Sequence, residues 1–152
     1  MNTRSLLLSA LIAGAVIGFL GNLPLLNLVN CLLCIWAWAG GALAVLLYRR
    51  FEPAGPGLSA GQGAGVGALS GLFGALVGAV VFMISSPLLL PLMNNLARSL
   101  QVGDGTFFRS SGFGEILVTG LIFLAFNLVF YPLFGALGAA ITASLVNRPR
   151  PA

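Results

Sequence analysis

The chain has 152 residues, 59% of them hydrophobic and only 7% charged, with a net charge of +4. A soluble domain of this size usually carries about a quarter charged residues, so the composition excludes water as the solvent for most of the surface, and the length suits a single domain, 1–152. The basic residues are all arginines, opposed only by Glu52, Asp104 and Glu115; they mark the ends of apolar runs instead of one solvated face, which argues for orientation in a bilayer and against nucleic acid as a partner.

From Ser5 to Tyr48 the only ionisable side chains are the thiols of Cys31 and Cys34. One helix of that length would reach about 66 Å, roughly twice the hydrocarbon thickness of a membrane. The run must fold back, and the turn signal is Gly21-Asn22-Leu23-Pro24, with Asn27 and Asn30 following. This predicts helices over about 5–21 and 28–48. The opening MNTR and its apolar run have no A-x-A cleavage site and feed directly into a second span, so the first helix is expected to stay uncleaved.

Arg49 and Arg50 close the second helix, and FEPAGPGLSAGQG reads as a loop because of its prolines and glycines. A third spanning helix is expected over 64–84, stopped by Ser85-Ser86-Pro87. Beyond it, Leu92, Met93, Leu96 and Leu100 recur at helical spacing, opposite Asn94, Asn95, Arg98 and Ser99. That pattern predicts a short helix over 88–100 lying in the interface. QVGDGTFFRSSGFG is a turn-rich loop. The fourth helix, about 115–147, begins at Glu115, whose carboxylate complements the helix dipole, and a kink is expected at Pro132.

The fold expected is therefore all-α: a polytopic membrane protein of four transmembrane helices in two hairpins, plus a short interfacial helix. Arg4, Arg49, Arg50, Arg148 and Arg150 fall on one side of that arrangement, Arg98 and Arg109 on the other. The positive-inside rule then puts both termini in the cytoplasm.

The strongest motif is a set of small-residue stripes. Gly63, Gly67, Gly71, Gly74 and Gly78 follow one face of the third helix. Ala10, Gly14, Gly18 and Gly21 do so on the first, Ala37, Gly40, Gly41 and Ala44 on the second, and Gly135, Gly138 and Thr142 on the fourth. Lipid provides no hydrophobic drive for helix association, so close backbone approach at small residues must supply it. The stripes serve packing within the chain or contact with a second copy or partner subunit. They are no nucleotide-binding loop, since neither a Walker lysine nor a ribose-binding acid accompanies them.

Cys31 and Cys34 have the spacing of a C-x-x-C redox motif. Zinc wants four ligands, and the chain has no histidine to complete a site. Buried free cysteine also behaves as a small hydrophobe. Packing is the leading reading, with a disulfide or thiol pair, or a metal site shared between two copies, as alternatives. Asn22, Asn27 and Asn30 are expected to cap helix ends. Asn127, the one strongly polar side chain deep in a span, is expected to make an interhelical hydrogen bond.

The segment P-x-x-N-x-x-N-C-x-x-C-x-W, Pro24 to Trp36, followed by Gly40-Gly41 and an arginine pair, resembles a class of small uncharacterised prokaryotic four-span membrane proteins with an N-C-x-x-C turn and a Gly-rich third helix. The resemblance implies a prokaryotic cytoplasmic membrane and no particular activity.

With no histidine and no paired carboxylates, acid–base catalysis has nothing to work with. No catalytic residue, resident metal or cofactor is expected. The leading functional expectation is a non-catalytic scaffold or accessory subunit, with the bilayer and a homo-oligomer or larger membrane complex as partners. A small channel or transporter for a neutral or hydrophobic solute, and a thiol-redox protein using Cys31 and Cys34, are the alternatives. Alkylation in native membranes followed by mass spectrometry separates the thiol readings. Packing predicts the same label on both cysteines with and without reductant; a label appearing only after reduction marks a disulfide.

Overall fold

The computed structural model describes residues 2–21, 35–55, 57–100 and 113–146. They form four α-helices, α1 (Thr3–Leu20), α2 (Ile35–Phe51), α3 (Ala60–Ser99) and α4 (Phe113–Val146), with no strand among the described residues. Three of them, α1, α3 over Ala60–Leu89 and α4 over Gly114–Val146, are long and apolar enough to cross a membrane. The described part of α2 spans 17 residues. Asn22, Asn27, Asn30, Cys31 and Cys34 lie outside the described residues, as do Asp104, Arg109, Arg148 and Arg150.

Polar groups gather one end of each helix together. Asn2 caps α1, its side chain accepting from the Arg4 N–H at 3.1 Å. Its amide also donates to Glu52 Oε1 at 2.8 Å, and Ser5 Oγ donates to the same oxygen at 2.8 Å. The start of α1 is thereby tied to the end of α2. Arg49, in the last turn of α2, donates from Nη1 to the carbonyl of Val146 at 3.0 Å, satisfying an orphan acceptor at the end of α4. The start of α3 joins them where Gly63 meets Ala143. Sequence-adjacent helices are accordingly antiparallel, with α1 parallel to α3 and α2 parallel to α4.

α3 begins four residues earlier than the apolar run suggested. Ser59 and Gln62 form a reciprocal capping box: Gln62 N–H donates to Ser59 Oγ at 3.2 Å, and Ser59 N–H donates to Gln62 Oε1 at 2.9 Å. The loop before it is anchored by Leu58, which is 2% exposed and belongs to the core with Leu6, Val45 and Val66.

α3 also ends later than expected. Neither the stop at Ser85-Ser86-Pro87 nor a separate helix over 88–100 is present; α3 runs on for 40 residues through Pro87 and Pro91. Pro87 removes the donor that would reach the Met83 carbonyl four residues back. In the turn beside that gap, Ser86 Oγ donates to the Phe82 carbonyl at 2.5 Å and Ser85 Oγ to the same oxygen at 3.5 Å. Serine hydroxyls bonding back in this way accompany prolines inside apolar helices. Leu92, Asn95, Arg98, Ser99 and Leu100 are all exposed, so this segment lays no apolar face on the bundle at those positions. α4 likewise continues on both sides of Pro132.

The core is built from small side chains. Ala10, Ala44, Val66 and Ala139 are fully buried, and the largest fully buried side chains are Leu58, Val45, Val66 and Ser9. The large apolar residues point outward: Leu72, Leu76, Val80, Ile84, Leu88 and Leu92 follow one another every fourth residue along α3, all exposed, reaching 79% at Leu88. On α4, Val118, Ile122, Phe126, Val129 and Leu133 are likewise exposed, at three- and four-residue spacing. Phe126, Phe130 and Phe134 stack in succession, with Trp38 of α2 continuing the series 6.1 Å from Phe134. An apolar surface of this extent is unstable in water.

Candidate functional site: a glycine-lined helix seam

Where α2, α3 and α4 meet, backbone touches backbone. A Cβ built on Gly41 of α2 would collide with the carbonyl oxygen of Gly135 in α4, and a Cβ on Gly67 of α3 would collide with that same oxygen. The contact is reciprocal, because a Cβ on Gly135 would stand 2.5 Å from the Gly67 carbonyl. No other residue type permits this approach. Such proximity aims the Cα–H groups at carbonyl oxygens, a weak hydrogen-bond geometry typical of close helix pairs.

The seam extends both ways from this junction. Towards the shared helix ends, a Cβ on Gly63 would lie 2.7 Å from Ala143 Cβ. Towards the far end, a Cβ on Gly71 would strike the Tyr131 carbonyl and come within 2.5 Å of Pro132 N. The proline-bearing turn of α4 is therefore seated on a glycine. The contact face of α4 is thus Tyr131, Gly135, Ala139 and Ala143, at four-residue spacing.

The stripe on α3 serves two neighbours. Gly63, Gly67 and Gly71 face α4, Gly74 lies between Tyr131 of α4 and Gly14 of α1, and Gly78 lies beside Gly18 of α1. A Cβ on Gly14 would collide with the Ser70 carbonyl, and one on Gly18 would lie 2.5 Å from the Gly74 carbonyl and 3.1 Å from Gly78 N. On the remaining side, Gly40 accommodates Ile17 of α1, at 3.1 Å, and Gly138 abuts the backbone of Trp38. Gly14, Gly18, Gly40, Gly41, Gly63, Gly67, Gly71, Gly74, Gly78, Gly135 and Gly138 all lie at contacts within this one chain.

The buried hydroxyls close their own hydrogen bonds. Ser9 Oγ donates to the Leu6 carbonyl at 2.9 Å, and Thr142 Oγ1 to Gly138 at 2.8 Å. Ser70 bonds between helices, its hydroxyl reaching across to donate to the Gly40 carbonyl of α2 at 3.4 Å. Asn127 does the reverse. The expected interhelical bond is replaced by one within α4, from Nδ2 to the Phe123 carbonyl at 2.7 Å. In an apolar span the carbonyl one turn back is the nearest acceptor, and the side chain takes it.

Sequence reading missed Tyr131 and Ala139. Tyr131 is 5% exposed, and its hydroxyl would lie 2.8 Å from a Cβ on Gly21. The available signal was the four-residue repeat Gly135, Ala139, Ala143, which glycine alone did not reveal. Among the described residues, no group of three His, Cys, Asp or Glu side chains is placed to hold a metal ion. No family model, curated protein or solved structure matches this chain.

The seam makes a sharp prediction because two glycines of α3 lie off it. Gly61 and Gly65 have open space where a Cβ would go. Gly65→Ala is expected to be neutral or stabilising by up to about 1 kcal/mol, from helix propensity alone. Gly67→Ala and Gly41→Ala are expected to destabilise by about 1–3 kcal/mol through overpacking against backbone. Loss of helicity across a denaturing-detergent titration measures both.

Proposed function

We propose that this protein is a non-catalytic, multi-pass accessory or scaffold subunit of a prokaryotic cytoplasmic membrane. It crosses the bilayer four times, with both termini on the cytoplasmic side. The observation that carries this reading is the distribution of side-chain size: alanine, glycine and serine line the helix contacts, and most of the leucines, phenylalanines and isoleucines of the described residues lie exposed on the outside. Hydrocarbon is the solvent in which that arrangement is stable.

The arginines support the orientation. Arg4, Arg49 and Arg50 sit at the end where the helices are tied together by Glu52 and Val146, and an excess of arginine marks the cytoplasmic face. The non-catalytic reading is supported by the state of the acids: Glu52 already accepts from Asn2 and Ser5, and the chain has no histidine. A pore is disfavoured because the buried hydroxyls of Ser9 and Ser70 are engaged with carbonyls and the glycine faces are in contact with one another.

Since the glycines join the chain's own helices, association with another subunit falls to the outer apolar ridge. α3 continues for about 30 Å beyond its contact with Gly18, and this stretch carries the highest apolar exposures, 75% at Ile84 and 79% at Leu88. A photo-crosslinking residue at Ile84 or Leu88 is expected to capture a protein neighbour in native membranes, either a second copy or another subunit. Capture of lipid alone at both positions would overturn the scaffold reading.

A further inference from the structure

A groove of about 580 Å³ runs along the outside of α1, lined by Arg4, Leu7, Leu8 and Leu11, with Phe73 of α3 as its far wall. Arg4 and the three leucines recur at three- and four-residue intervals, so the arginine and the apolar lining share one face of the helix. Leu7, Leu8 and Leu11 are each more than two-fifths exposed. Arg4 is exposed and forms no ion pair among the described residues, because Glu52, the acid tied to the same end, is engaged by Asn2 and Ser5.

Depth identifies the occupant. Phe73 stands beside Gly14, where a Cβ would lie 2.7 Å from its own. From Arg4 to Gly14 is a rise of about 15 Å, half the hydrocarbon thickness of a bilayer. The groove therefore starts with a cation at the membrane surface and continues as an apolar channel for the depth of one leaflet. Gly14 is what allows the aromatic wall to sit so close to α1.

We propose that this groove binds one anionic phospholipid, with an acyl chain along Leu7, Leu8 and Leu11 against Phe73 and the phosphate paired with Arg4. The proposal rests on the orientation given above, which puts Arg4 at the cytoplasmic leaflet, where anionic lipid attracts juxtamembrane arginine. An anionic phospholipid fits better than a free anion, since a bare phosphate makes no use of the leucines, and better than a zwitterionic one, whose phosphate charge is already offset by its own ammonium group.

Native mass spectrometry of the full chain tests it. Protein is first shown to resist alkaline extraction from membranes, which isolates any failure of the membrane reading. It is then delipidated in mild detergent and titrated with phosphatidylglycerol or phosphatidylcholine of identical chains. The wild type is expected to retain one phosphatidylglycerol about fivefold more tightly than phosphatidylcholine. Arg4→Gln removes the preference, Arg4→Lys keeps part of it, and Arg50→Gln, at the same end but outside the groove, leaves it intact. Leu11→Trp, which fills the groove at a lipid-facing position, is expected to lose both lipids. Equal retention of the two lipids by the wild type, equal effects of Arg4→Gln and Arg50→Gln, or undiminished binding by Leu11→Trp would each overturn the proposal.

Discussion

The fold depends on the approach of α2 and α3 to the carbonyl oxygen of Gly135 in α4. Gly41 and Gly67 reach that oxygen from opposite neighbours, at separations that exclude even a methyl group. Once backbones lie this close, no layer of large side chains fits between them. Along the seam the buried positions are mostly alanine, glycine and serine. Bulky buried residues such as Leu58, Tyr48, Ile17 and Tyr131 flank it, while most other large apolar side chains lie at the perimeter. Dispersion contact and weak C–H···O bonds then hold the bundle together, and in the bilayer proposed for it the hydrophobic effect acts on the whole assembly by keeping it in lipid.

That constraint links the other features of the molecule. Glycine costs a helix about 1 kcal/mol relative to alanine in water, and a helix as glycine-rich as α3 is maintained by its neighbours and by the lack of competing solvent. The same dry surroundings explain why hydroxyls bond back to carbonyls at Ser9, Ser86 and Thr142. They also explain why polar anchors concentrate at one end, where Asn2, Ser5, Arg49 and Glu52 tie the helix termini together. The bundle is stitched by charge and amide at the boundary and by bare backbone within.

The sequence displayed much of this because composition and spacing report solvent and contact directly. Apolar runs located the helices, though α3 extends beyond its run at both ends, and the small-residue stripes fall at the contacts between helices. What stayed hidden depends on partners that a linear reading does not show. Ser85-Ser86-Pro87 looked like a stop because proline lacks a donor, yet α3 continues through it, with the Ser86 hydroxyl bonding back to Phe82 in the adjoining turn. Ser59 and Gln62 lay within a proline- and glycine-rich stretch, where a capping box was read as loop. The stripe on α3 gave no sign of being divided between α1 and α4, and Asn127 found its acceptor one turn back instead of across the bundle.

The distribution of side chains between inside and outside is open to direct measurement. A small diazirine dissolved in the bilayer, activated by light and mapped by mass spectrometry, reports which side chains touch hydrocarbon in the unmodified chain. Leu76, Val80, Phe126 and Val129 should carry the label while Ala75, Ala79 and Ala139 remain unmarked. Label on the alanines, or modification of Leu76 and Val129 by a reagent confined to water, would contradict the account.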